Sequence, residues 1–357
     1  MSNRRMVGFL AAVLMVCLFS GLSRAGDNAQ KQADNLVIFP PPPDSVRIQF
    51  LTRISTSTDI TGKRSGLLRY ILGEMESKPI GKPYGLAIHD GKIYICDTKL
   101  GCLEIIDLAK HSFEYFKPGG LGQLRKPINC FVDTNGYLYV ADVERRQVVL
   151  FNNQNQYISS IGNPAESKPT DVFVTGDKIW VNDLESHAVK VYDKTNHDML
   201  FTFPEADKRS PEYLYSPTNL LVTNDKVFVS DLGDFKIKTF SLEGDYLNSI
   251  GSYGRNVGQF TRPKGIALDK DENLYVVDAG FENVQVFNNS GNLLMFFGGN
   301  YQGPGFMWLP AKVVIDYDNL QYFSQYVDNR FNLKYLIMVT NQFGPDKVSV
   351  YGFVEPK

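Results

Sequence analysis

The feature that most constrains this chain is a sixfold recurrence of a proline followed by a short apolar strand. It opens at Pro83 (PYGLAI), Pro127 (PINCFV), Pro169 (PTDVFV), Pro217 (PTNLLV), Pro263 (PKGIAL) and Pro310 (PAKVVI), at intervals of 44, 42, 48, 46 and 47 residues. The first five copies lead through a turn to a second strand (KIYICD, YLYVAD, KIWVND, KVFVSD, NLYVVD), which ends in Asp97, Asp142, Asp183, Asp231 or Asp278. A third strand follows in each: CLEIID, QVVLF, AVKVY, KIKTF and NVQVF. The clearest copy, residues 262–298, divides into four strands at Asp269–Glu272, Ala279-Gly280 and Asn289-Ser290-Gly291, all turn formers. Four strands at a period of about 45 residues specify a β-propeller.

The sixth copy deviates. After Pro310–Ile315 comes an insertion over Asp316–Asn332, then strands at Leu333–Thr340 and Lys347–Val354, and there the chain ends one strand short. Val46–Ile54 (VRIQFLTRI) is a strand pattern with no nearby partner, so its backbone groups need a sheet made elsewhere. The expected fold is therefore all-β, a six-bladed β-propeller over residues 46–357, closed by an N-terminal strand that completes the last blade. Ser65–Glu74 (SGLLRYILGE) has helical spacing and predicts a short surface helix.

The remaining N-terminal residues stand apart from the repeats. Arg4-Arg5, the apolar run Met6–Phe19 and Ser23-Arg24-Ala25 predict a signal peptide over 1–25, cleaved near Ala25. Residues 26–45, with Pro40–Pro43, read as an extended tether. Export places the mature chain in the periplasm or outside the cell, with no transmembrane span after cleavage. Removing Arg4, Arg5 and Arg24 from 37 basic residues leaves 34 against 39 acidic ones, a net charge of −5, which does not suit nucleic acid. Cys96, Cys102 and Cys130 are an odd set: either Cys96 pairs with Cys102 across one tight turn, or all three are buried thiols.

The run P-x-G-[IV]-A-[VL]-D…[NG]-x-[LI]-Y-V-x-D…[RV]-x-V-F, closest in residues 263–287 and looser in 127–151, resembles the NHL-repeat family of six-bladed propellers. The chain looks most like the exported bacterial members. The resemblance implies a fold that hosts enzymes, peptide and RNA binders and scaffolds alike.

In such a ring the loops leading into first strands and the turns between second and third strands share one face. Two residues after the opening prolines stand Gly85, Asn129, Asp171, Asn219, Gly265 and Lys312. Asn129, Asp171, Asn219 and Lys312 are the expected channel-mouth ligand residues. The oxygens of Asn129, Asp171 and Asn219 suit Ca²⁺ or another divalent cation. Lactonase-type six-bladed propellers are similar, with a metal held by Glu, Asn, Asn and Asp, although no glutamate on the first strands here corresponds. That resemblance implies a metal-dependent hydrolase as the alternative to a non-catalytic binder. Of the four histidines only His187 falls in a turn of this face, so a histidine-zinc site is not expected. No catalytic residue is assigned. Arg145, Arg146, His187, Phe235, Phe281 and Trp308 lie on the same loops and form the expected surface for a protein, peptide or glycan partner, in the envelope or outside the cell. The repeated aspartates read as turn caps.

Overall fold

The computed structural model describes residues 36–62 and 76–357. The chain divides into two units, Met1–Ile38 and Phe39–Lys357, and the second carries the repeats. The signal peptide, residues 26–35 of the tether and the helix expected over Ser65–Glu74 lie outside the described residues. No helix among the described residues is long and apolar enough to cross a membrane.

The second unit is a six-bladed β-propeller. Its first five blades are four-stranded antiparallel sheets whose strands follow chain order from the axis outward. The inner strands are Pro83–His89, Pro127–Val132, Pro169–Thr175, Pro217–Val222, Pro263–Leu268 and Pro310–Asp316. Consecutive inner strands are neighbours, and the sixth packs on the first. In the last blade Pro310–Asp316 pairs with Phe331–Asn341, which pairs with Val348–Pro356, and Ile48–Ile54 pairs with that strand in turn (Ile48 opposite Phe353, Ile54 opposite Val348). The N-terminal strand thus closes the ring as expected, and the insertion carries two short 3₁₀ turns, Leu320–Tyr322 and Ser324–Tyr326. Alternating residues of each blade fill the gaps on its two sides. Ile93 and Ile95 face the sixth blade, whereas Tyr94 and Cys96 face the second.

Two inner glycines record how tightly the ring is drawn. A Cβ on Gly85 would lie 2.5 Å from the Asn129 Cα, and one on Gly265 would lie 2.6 Å from the Lys312 Cα. Backbone meets backbone there, and no side chain fits.

The five aspartates that end the second strands are fully buried. Each ties the loop leading into its blade to the turn that follows it. Asp142 accepts from the N–H groups of Arg125 (2.7 Å) and Lys126 (3.0 Å) on one side, and Glu144 (3.1 Å) and Arg145 (2.9 Å) on the other. Asp97 does the same with Gly81, Lys82, Lys99 and Leu100, and Asp278 with Thr261, Arg262, Gly280 and Phe281. In the sixth blade Asn341 takes this place and accepts from the Trp308 N–H at 3.3 Å.

Beneath the aspartate, the third strand offers a side chain that differs between blades. Lys190 reaches Asp183 at 3.0 Å and Lys238 reaches Asp231 at 3.2 Å. The fifth blade has Gln285, bonded to the Gln259 carbonyl. The first blade has Glu104, fully buried, with no partner for either carboxylate oxygen among the described residues. Burial, with the neighbouring Asp97, pushes its carboxyl up to about 10. Cys96, Cys102 and Cys130 are free and buried, so the Cys96–Cys102 disulfide does not form. Burial raises the Cys96 thiol, which packs beside Cys130.

Two predictions follow from these buried carboxylates. Asp142→Ala strands four loop N–H groups and should cost about 3 kcal/mol in denaturant unfolding; a loss below about 0.5 kcal/mol would refute the tie. Glu104 binds its proton in the folded chain but not in the unfolded one between pH 4.5 and about 10, so stability falls as pH rises through that window. Glu104→Gln should therefore stabilise by about 2 kcal/mol at pH 7 and by nothing at pH 4.

Candidate functional site

The top of the channel is built from the inner strands just below the aspartate ties. Asp171, on the third blade, and Lys312, on the sixth, stand on opposite sides of the ring, yet the Lys312 ammonium lies 2.8 Å from the Asp171 carboxylate. The pair spans the axis and is nearly out of contact with water, with side-chain exposures of 1% and 10%. The same carboxylate accepts from the Leu220 N–H at 3.0 Å and the Asn219 side-chain N–H at 3.3 Å. Asn129 donates to the Thr170 carbonyl at 2.7 Å. The four residues expected at the channel mouth are thus brought together, three of them in one network. The amide oxygens of Asn129 and Asn219 are buried without a partner among the described residues. Below the pair, a cavity of about 200 Å³ is lined by apolar side chains from all six inner strands, Phe131 and Phe173 among them, with their rings 4.5 Å apart.

As a divalent-metal set these residues offer one carboxylate, and an ammonium already neutralises it. Among the described residues, no three His, Cys, Asp or Glu side chains gather as metal ligands would. The geometry suits a neutral or hydrogen-bonding ligand better than a hard cation.

Two further residues complete the mouth. Tyr84, the residue after Pro83, has its phenol pushed up by burial and by the Asp171 charge. Lys264, the residue after Pro263, extends over the Tyr84 ring, its Nζ 5.0 Å from the centroid. It passes the sixth blade, where the matching residue is Ala311, fully buried and small. Burial of the Lys264 ammonium, and then the neighbouring Arg262 and Lys82 charges, lower it to about 8. It has no carboxylate partner among the described residues, and neither does Arg262 or Lys82. The sequence signal for Lys264 was available only as one unlike residue in a column of Tyr84, Ile128, Thr170, Thr218, Lys264 and Ala311.

The six expected partner-binding residues separate into two groups. Arg145 turns back into its own face, donating to the Leu121 and Gln123 carbonyls at 2.7 and 2.8 Å. Arg146 pairs with Glu185 of the next blade at 3.1 Å. The His187 Nδ1 faces the Leu214 and Tyr215 carbonyls at 3.0 and 3.1 Å, which fixes the proton on that nitrogen. These three hold loops. Phe235, Phe281 and Trp308 lie on the surface of the fourth to sixth blades. Phe235 packs on Tyr253 (4.7 Å between centroids), Trp308 stacks on Tyr301 (6.1 Å), and Phe281 lines a cleft of about 620 Å³ with Tyr253, Arg255, Arg262 and Leu309.

One stability test isolates the Lys264 charge. Its folded-state value lies below the ordinary 10.5, so the unfolded chain binds more protons between about pH 8 and 10.5, and stability rises with pH there. Lys264→Met should stabilise the protein by about 2–3 kcal/mol at pH 7, with the gain vanishing above pH 10.5. An equal gain at both pH values would show that packing, not charge, is responsible.

No protein-family model matches the chain, and no curated protein matches its sequence. Solved structures do. A streptogramin B lyase shares 12% identity over 76% of this chain and 83% of its own, at a TM-score of 0.54. A catalytically inactive virginiamycin B lyase from Staphylococcus aureus, solved with quinupristin, shares 14% over 76% and 95%, at 0.53. A structural genomics protein of unknown function from Bacteroides thetaiotaomicron shares 12% over 87% and 76%, at 0.59. At these identities the likeness is one of fold, and it agrees with the strand order: the repeat-bearing unit is a six-bladed β-propeller.

Proposed function

We propose that this chain is a non-catalytic binding protein of the NHL-repeat type, acting after export in the periplasm or outside the cell, and that it engages a protein or peptide on the face bearing the loops that lead into its blades. The observation that carries the reading is the exposed aromatic surface of the fifth and sixth blades. Tyr253, Trp308 and Phe343 are 66%, 48% and 45% exposed, and Arg255 and Arg262 line the cleft with Tyr253. Aromatic rings with arginine are the side chains that contribute most to protein interfaces. They lose little rotamer freedom when covered, and exposed rings in a group signal a surface kept for contact. The chemistry of the channel mouth supports the same reading. Its carboxylate is held by an ammonium and by backbone and amide N–H groups, so it is not free to take a proton from a substrate.

A photo-crosslinking residue in place of Trp308 should trap a discrete partner in the native envelope. The same residue in place of Ile158, exposed on an outer strand of the second blade, should not. Tyr253→Ala should reduce the trapped yield by about tenfold. Equal yields from positions 308 and 158 would overturn the assignment of this face.

A further inference from the structure

The three cations at the channel mouth are unlike the other charges of this face. In five blades the repeated aspartate binds the backbone N–H of the residue just before the opening proline: Lys82, Lys126, Lys168, Ser216 and Arg262. The tie fixes where each of those side chains starts, on the rim of the channel. Lys126 then pairs with Glu144 at 3.3 Å. Lys82 and Arg262 have no such partner among the described residues. Lys82 lies over the Phe343 ring, 4.9 Å from its centroid. Arg262 is exposed and lines the 620 Å³ cleft. Both act on Lys264, whose ammonium is drawn in over Tyr84. Three like charges from the fifth and first blades therefore stand on one stretch of the rim, over the Phe343 and Tyr84 rings and in the cleft, and none forms an ion pair among the described residues. Such an arrangement costs stability unless an anion joins it.

We propose that Lys82, Arg262 and Lys264 bind the carboxylate of a ligand at the channel mouth, and that this carboxylate is the free C-terminus of a peptide whose last side chains lie in the adjoining cleft. This rests on the reading of the same face as a binding surface. The cleft is continuous with the site because Arg262 belongs to both; Tyr253, Phe281 and Leu309 give it apolar walls, beside Arg255, Thr261 and Glu282, whose carboxylate accepts from the Leu309 N–H at 3.1 Å. Deeper in the mouth, the buried amide oxygens of Asn129 and Asn219 lack donors, and a peptide end carries N–H groups as well as its charge. A carboxylate among ammonium and guanidinium groups accepts charge-assisted bonds while restoring local neutrality.

The test uses the purified full chain and three probes: acetyl-Leu-Phe as the free acid, the same dipeptide as its C-terminal amide, and acetate alone. Titration calorimetry at pH 7 should show the acid binding about 10- to 100-fold more tightly than the amide. Lys264→Met should erase that preference, and Lys264→Arg should keep it. Lys82→Met gives a second, independent removal of charge from the rim. Acetate binding as tightly as the acid peptide would keep the carboxylate site but overturn the peptide as its source. Equal affinity for acid and amide in the unaltered protein, or an acid preference that survives Lys264→Met and Lys82→Met, would overturn the site itself. If both peptides bind alike and Tyr253→Ala abolishes both, the binding face stands and only the carboxylate site falls.

Discussion

The buried aspartate at the end of each second strand is the interaction on which the rest of this propeller depends. A carboxylate with no access to water must be matched by donors, and the donors used in every one of these blades are backbone N–H groups of two loops. Each aspartate therefore forces the loop leading into a blade and the turn within it to converge on one point. Repeated around the ring, this fixes the face on which loops can carry function. It also fixes the first atoms of every side chain on the channel rim. The sixth blade shows the limit of the device. Asn341 satisfies one N–H of its leading loop rather than several, and there the loop instead stacks Trp308 on Tyr301.

Electrostatics inside the ring follow from how each blade answers its own buried charge. The third and fourth blades answer the aspartate with a lysine beneath it, and the fifth uses a neutral amide. The first blade answers with a second acid, which stays protonated because burial, and then the adjacent Asp97 carboxylate, disfavour its charge. Asp171 is answered from the far side of the ring by Lys312. That bond closes the axis above the apolar cavity and leaves the charges nearer solvent, Lys82, Arg262 and Lys264, uncompensated. The unpaired charges at the mouth are thus all positive, above a neutral plug.

Much of this was legible in the residues. Proline marks the start of each inner strand and aspartate the end of its neighbour, and both were countable along the chain. The closing role of Ile48–Ile54 was legible too, because a strand without a partner and a blade without a fourth strand imply each other. The position two residues after the proline holds Asn129, Asp171, Asn219 and Lys312, and Asp171 bonds both Asn219 and Lys312 in the structure. Their chemistry was not legible. Asn129, Asp171 and Asn219 carry oxygens suited to a cation, but Lys312, 141 residues from Asp171, is long enough to cross the ring and bond that carboxylate. Arg145 and His187 looked like surface groups because their turns are on the surface, yet both side chains fold back onto loop carbonyls. Lys264 gives little sequence signal because its column, in which only Thr170 and Thr218 agree, has no residue type common to the blades.

The sequence by itself determined the number of blades, the order of strands and the face that carries the loops. These depend on local patterning, in which period, turn chemistry and alternation repeat within about 45 residues. Only the tertiary structure decided which charges cancel and which remain. That outcome depends on side-chain reach across a closed ring, where residues far apart in the chain become neighbours and burial makes an unmatched charge costly.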